Sequence, residues 1–377
     1  MRIIKVVLFL FIALSCTTKQ EQVQSNTLSN ASVGEKPKNV ILMIGDGMGL
    51  SQVSSAFYYQ KDSTNFWRFP VIGLIRTSSA SHKITDSAAG ATAFANGQKS
   101  YNSAIGVDTD TIPLTNISDI LSTEGKDIGL VVTSSIVHAT PAPFYAHAAR
   151  RYQYENIASQ LPGSHISFFA GGGLKFFNKR TDKLDYIDSL VAYNFEVDTT
   201  SMPDGGDYDI NKKYGYLLAP DGMPKAKERG DYLTNATQAA LDYLGRDPDG
   251  FFLMVEGSQI DWGGHENNAD YLIGEELDFD KTIGVVLDYA QKHPETLVIV
   301  TADHETGGFT LAADHANKMD GDYNRIAPSF STSGHSTTLI PVFAKGPGQD
   351  NFGGIYENNQ LFHKILDVLR LEPQKKE

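Results

Sequence analysis

Short, nearly continuous apolar runs recur along the chain at Asn39–Ile44, Ile128–Thr133, Phe251–Val255, Thr296–Thr301 and Leu339–Ala344. Runs of this kind read as parallel strands buried on both sides. Helical patterns lie between them, for example Asn116–Thr123, Tyr232–Leu244 and Ile273–Lys292. The alternation predicts an α/β fold: a three-layer α/β/α sandwich around a central, mostly parallel sheet. Two stretches have only a weak pattern. They are 160–230, rich in Gly, Asp, Lys and Tyr, and 305–334, which contains Gly307 and Gly308. Both are expected as irregular insertions forming a rim over one edge of the sheet.

The polar residues just beyond the apolar runs carry more information than the runs themselves. Asp46 follows the first, His138 and Thr140 the second, Glu256 the third, and Asp303 with His304 the fourth. In open α/β sheets ligands bind at the carboxyl ends of the strands, so these side chains are expected at one place. Asp261 and His265 stand four positions apart, the spacing that puts two ligands on one helix face, although Gly263 and Gly264 make a loop equally possible. His335 precedes the last run, and Asp46 lies in the glycine-rich turn Gly45-Asp46-Gly47-Met48-Gly49. Asp46, Asp261, Asp303, His265, His304 and His335 together offer enough nitrogen and oxygen ligands for two zinc ions.

The stretch Thr85-Asp86-Ser87-Ala88-Ala89-Gly90 opens a run rich in Ala, with Gly97 as a stop. Ser87 is expected at a helix N-terminus, where free N–H groups and the helix dipole attract an anion. Such a serine is either a nucleophile beside a phosphate or a capping residue.

Composition narrows the partners. The chain has 377 residues, 41% of them hydrophobic, enough for one large α/β domain or two smaller ones. A formal net charge of −13 argues against a nucleic-acid-binding surface, so any anion site must supply its own local positive charge. Arg2 and Lys5 precede an apolar run from Val6 to Leu14 that ends at Ala13-Leu14-Ser15-Cys16. This reads as an export signal over 1–16 with a lipoprotein-type cleavage site at Cys16. The protein is then expected to be exported, periplasmic or anchored to a membrane through lipidated Cys16. Cys16 is the one cysteine in the sequence, which excludes an intramolecular disulfide. Residues 17–37 are polar and aperiodic and read as a tether. The catalytic domain is expected over 38–373.

Six segments together resemble the alkaline phosphatase family, of the serine-nucleophile, two-zinc-plus-magnesium type. They are PKNVILMIGDGMG (37–49), ITDSAAGATAFANG (84–97), HATPAPFYAHAARR (138–151), GFFLMVEGSQIDWGGH (250–265), LVIVTADHETGG (297–308) and SGHSTTLIPVFAKGPG (333–348). The resemblance implies hydrolysis of phosphate monoesters through a covalent phosphoserine at Ser87. It implies Asp261, His265 and His335 as ligands of a first zinc, and Asp46, Asp303 and His304 as ligands of a second beside the Ser87 oxygen. It further implies Asp46, Thr140 and Glu256 around a magnesium ion, with Arg151 clamping the phosphate. Asp86 and Trp262 stand beside these groups. Dimers are common in the family, which makes a homodimer possible.

Two positions depart from parts of the family. His138 stands where some members carry Asp, so the third site should hold magnesium less tightly or accept another divalent ion. Trp262 stands where others carry Lys or His. Related sulfatases need a C/S-x-P-x-R motif, which is missing after Ser87, and diesterases lack the third site that Thr140 and Glu256 supply here.

Overall fold

The structure, a computed structural model, describes residues 36–203, 205–314 and 321–372. The export signal, Cys16, most of the tether and the end of the catalytic domain's expected span lie outside the described residues. Among the described residues the strands are β1 (Asn39–Gly45), β2 (Val71–Arg76), β3 (Asp127–Ser135), β4 (Ile166–Gly172), β5 (Phe195–Asp198), β6 (Lys213–Leu217) and β7 (Phe251–Gly257). They continue with β8 (Thr296–Thr301), β9 (Glu305–Thr306), β10 (Thr310–Asp314), β11 (Asp322–Ser329), β12 (His335–Ser336), β13 (Ile340–Lys345) and β14 (Gly354–Glu357).

Ten strands form one sheet in the order β14-β2-β13-β8-β1-β7-β3-β4-β6-β5. Every residue of β1, β7 and β8 is buried, so both faces at the centre of the sheet are covered. The long helix Ala269–Lys292 packs against the helices Leu50–Tyr59 and Tyr232–Leu244, and Ser87–Asn96 packs against Gln360–Val368. The α/β fold with a mostly parallel sheet is thus the one expected.

The register sets the site. Ile44 lies opposite both Glu256 and Thr301, and Val132 lies opposite Glu256, so β8, β1 and β7 finish level with one another while β3 runs on to Ser135 beyond the same edge. Their following residues therefore emerge along one edge.

Two expectations need correction. The run at Leu339–Ala344 is a strand, β13, but it runs antiparallel to β8 and β2. Its N-terminal end lies at the edge where the parallel strands finish, which is how His335 reaches that edge from a position before its strand. The stretch 160–230 is not an irregular rim throughout, because β4, β6 and β5 extend the main sheet as parallel strands. Glycines and tyrosines dilute the apolar pattern of β4 and β6, which hid them. In 305–334, β10 and β11 form a separate antiparallel pair, and β9 pairs with β12.

Candidate metal centre and nucleophile

Ser87 is the first residue of the helix Ser87–Asn96. The cap is its neighbour: the Asp86 carboxylate accepts from Ala89 N at 3.0 Å. Ser87 is thereby released from capping, and its buried hydroxyl lies 3.3 Å from His304 Nε2. Asp86 also accepts from Ser103 N and from Arg151 Nη1, the latter at 3.1 Å. One carboxylate thus starts the helix and aims the guanidinium toward the same end of it. Arg151 is mostly buried while Arg150 is exposed, which selects Arg151 as the group that can meet a bound anion.

The helix Gln259–His265 settles the alternative left open at Asp261 and His265. Gly264 lies within that helix, and a Cβ there would meet Thr306 atoms at 2.9 Å, which is why the position is glycine. His265 Nε2 lies 3.3 Å from Asp261 Oδ1, and His335 Nε2 lies 3.5 Å from the same oxygen. His265 Nδ1 faces Ser333 O at 2.6 Å, and His335 Nδ1 faces Thr85 O at 2.8 Å. A carbonyl oxygen only accepts, so each Nδ1 carries a proton and each ring turns its Nε2 toward Asp261 Oδ1. Those two Nε2 atoms lie 3.1 Å apart. Three donor atoms thus converge where a cation could sit, and imidazoles that ligate metals usually donate their other N–H in this way.

Next to this group, Asp46, Asp303 and His304 bring ligand atoms within 4.8 Å of one another. Asp303 Oδ1 accepts from Gly47 N and His304 N, while Oδ2 has no hydrogen-bond partner. His304 Nε2 lies 3.2 Å from that Oδ2 and 3.6 Å from Asp46 Oδ1. The His304 ring stacks on His335 at 3.5 Å between centroids, so the two groups adjoin. A third group gathers Asp46, His138 and Glu256, again within 4.8 Å. Thr140 Oγ1 donates to Asp46 Oδ2 at 3.5 Å, and Ser134 Oγ donates to Glu256 Oε2 at 3.2 Å. His138 Nε2 meets Arg151 Nη2 at 3.4 Å, and its ring lies edge-on to Trp262 at 6.1 Å.

The electrostatics point to cations. Burial, then the charges of Asp303, Asp261 and Glu256, push the Asp46 carboxyl well above the usual range. Burial pushes Glu256 up to about 7, against hydroxyl contacts from Ser258, Thr140 and Ser134. Burial holds His304 well below its ordinary value, and burial with Arg151 takes His138 down to about 3. Asp46 Oδ1, Asp303 Oδ2, Glu256 Oε1 and His138 Nδ1 are all buried without a hydrogen-bond partner. Orphaned carboxylate oxygens beside neutral imidazoles are the donor set a divalent metal requires. The residues present therefore fit bound divalent metals.

Every predicted site residue lies in this one region. The sequence reading missed Thr306. Its hydroxyl donates to Asp261 Oδ1 at 2.5 Å and lies 3.2 Å from His304 Nδ1, so it touches ligands of two groups at once. The one signal for it is its place two residues beyond His304, at the end of the short strand β9.

Comparison with known proteins agrees with this geometry. The sequence model of the family described as alkaline phosphatase matches residues 37–321. Alkaline phosphatase 3 of Bacillus subtilis is 36% identical, over 92% of this chain and 93% of its own length. The structure of alkaline phosphatase from the Antarctic bacterium TAB5 is 52% identical, with a TM-score of 0.88, over 90% of this chain and 99% of that one. A histidine-to-aspartate mutant of the TAB5 enzyme, matching at the same identity and coverage with a TM-score of 0.87, has magnesium bound in its M3 site. The chain belongs to the alkaline phosphatase family and is a metal-binding phosphoric monoester hydrolase.

Proposed function

We propose that the protein hydrolyses phosphate monoesters by way of a phosphoserine at Ser87, with Arg151 holding the phosphoryl group. The observation that carries this reading is the position of Ser87: first in a helix that Asp86 caps, so free of the capping role, and 3.3 Å from His304 Nε2. Asp261, His265 and His335 would hold one zinc, Asp46, Asp303 and His304 a second, and Asp46, Thr140 and Glu256 a third ion. Bound there, the ions would lower the pKa of an oxygen nucleophile and would offset charge on the leaving oxygen.

Within that setting the chain's own groups divide the work. Arg151 offers two parallel N–H bonds to two phosphate oxygens, and Asp86 keeps it from swinging to solvent. Free N–H groups at the start of the Ser87 helix favour the same anion. Ser87 Oγ attacks phosphorus as the bond to the leaving alcohol oxygen breaks, and the Ser87 proton passes by way of solvent to that departing oxygen. Water then attacks the phosphoserine, the Ser87–phosphorus bond breaks, and the Ser87 hydroxyl regains a proton. Brief acid quenching with labelled phosphate monoester should trap label on the Ser87 peptide. Label elsewhere, or wild-type turnover in Ser87→Ala, would sink the assignment.

His138 bears on the third ion. With an imidazole among the oxygen donors, the site suits magnesium less well than a carboxylate would make it. The magnesium-bound TAB5 mutant supports reading His138 as the residue that sets this preference. The reading also includes export and a lipid anchor at Cys16, tested by whether Cys16→Ser releases active enzyme from membranes. The substrates are small phosphate monoesters, since the groups identified all address phosphate.

A further inference from the structure

Glu305 has no place in the ligand set, yet it is buried between two ligand-bearing segments. Its Oε1 accepts from Gln52 Nε2 and from Phe309 N, both at 3.0 Å. Its Oε2 accepts a short hydrogen bond from Ser336 Oγ. Glu305 and Ser336 are opposite each other in the β9–β12 pair, as are Thr306 and His335. Gln52, itself fully buried, also donates to Thr306 O at 2.9 Å and accepts from Gly49 N at 3.1 Å. Gly49 ends the turn that carries Asp46, and a Cβ there would meet Glu305 Cγ at 2.5 Å. Three chain segments therefore converge on one carboxylate: the Asp46 turn, the Asp303–Thr306 segment and the His335–Ser336 segment.

We propose that Glu305 is a positioning residue for metal binding, which ties these segments so that Asp46, His304 and His335 meet their ions in one fixed register. The proposal rests on the ligand set given above. Glu305 itself is kept from ligating because hydrogen bonds already occupy both of its oxygens. The tie matters because the ligands of neighbouring ions come from loops distant in sequence, each free to drift by fractions of an ångström unless held. A carboxylate accepting three donors is stiffer than an amide or hydroxyl could be in its place. Groups that hold ligands in this manner typically change metal affinity by 10- to 100-fold when removed.

The test follows transfer of zinc from the loaded full-length protein to a chromogenic chelator in excess. Ser336→Ala and Glu305→Gln should each lose zinc about 10- to 100-fold faster than wild type. Ser336→Thr, which keeps the hydroxyl, should return to the wild-type rate. After zinc is stripped, Ser336→Ala and wild type should melt together, because the bond acts on the ions rather than on the fold. Wild-type release rates in both variants would overturn the proposal. So would an equal fall in melting temperature with and without zinc, which marks a purely structural bond. His335→Ala separates the two levels of argument. If it retains the full wild-type zinc content, the ligand set itself is wrong and the proposal falls with it. If it loses zinc while Glu305→Gln and Ser336→Ala release it normally, only the positioning role fails.

Discussion

Two regions of this molecule bury several carboxylates close together, and they resolve the cost in opposite ways. Along the helix Ala269–Lys292, Glu275 and Asp278 both meet Arg229 at 2.6 Å, with all three side chains almost wholly buried. Asp280 on the same helix accepts from Thr64 Oγ1, Asn65 N and Gln60 Nε2. There the protein supplies nearly every partner itself. At the strand ends, Asp46, Asp303 and Glu256 are equally buried, but each keeps one oxygen without a partner. Arg151 is the protein cation near them, and it is engaged by Asp86. Isolated buried carboxylates cost several kcal/mol each unless neutralised or paired. The first region is a closed structural network. The second is complete only with cations from outside, and that difference, more than acidity as such, marks the functional site.

Removing metal tests the contrast most severely. Chelation should abolish phosphatase activity, and added zinc should restore it. Melting temperature should fall as well, because an ion present at about 1,000 times its Kd stabilises by about 4 kcal/mol and no disulfide compensates. Calorimetry of loaded and stripped protein measures both effects, and a stripped sample with full activity would refute the division drawn above.

Arg229→Met should act in the other region alone. It leaves two buried carboxylates without their cation, at a cost of about 3–5 kcal/mol in denaturant unfolding. Zinc content and the turnover of the protein that remains folded should be those of wild type. Loss of zinc at unchanged stability would show that the helix cluster belongs to the site after all.

His138→Asp adds a further carboxylate to the open region, where imported cations should absorb it. Magnesium affinity should rise by about tenfold, the lower end of what a change near a ligand set produces. A magnesium titration at fixed zinc reads this directly. Equal affinities in the two proteins would remove His138 from control of the third ion.

Much of this was legible in the sequence for a physical reason. Strands buried on both faces must be continuously apolar, so β1, β3, β7 and β8 announce themselves, and a parallel sheet collects whatever follows them. Ligand residues directly after those strands were therefore readable. The edge strand β5 and its neighbour β6 are shorter and mixed in composition, and their pattern reads as loop. The direction of β13 depends on pairing across the sheet, which no local pattern records. Asp86 as the cap in place of Ser87 depends on which of two neighbouring oxygens reaches Ala89 N. Thr306 and Glu305 act through contacts with residues dozens to hundreds of positions away. Only the folded chain brings such contacts together.

One residue belongs to neither pattern, and its expected effect shows only as a slope of stability against pH. Glu276 lies in the helix cluster, fully buried, with neither oxygen hydrogen-bonded and no place in any of the candidate metal groups among the described residues. Burial, then the charge of Asp280, raises its pKa well above the ordinary carboxylate value. The folded state therefore keeps a proton that the unfolded chain releases. Its stabilising contribution is fully present below the unfolded pKa of about 4.3 and is lost as pH rises toward the folded pKa. Glu276→Gln cannot ionise and should lack that loss. Unfolding free energies of zinc-loaded wild type and variant, measured from pH 5 upward, should diverge by about 1.4 kcal/mol per pH unit until the folded pKa is reached. The variant should hold the flatter profile, so that its relative stability is greatest at alkaline pH, where the enzyme family takes its name. Parallel profiles would mean that Glu276 finds a partner when ionised. The helix cluster would then be as closed as its other members suggest.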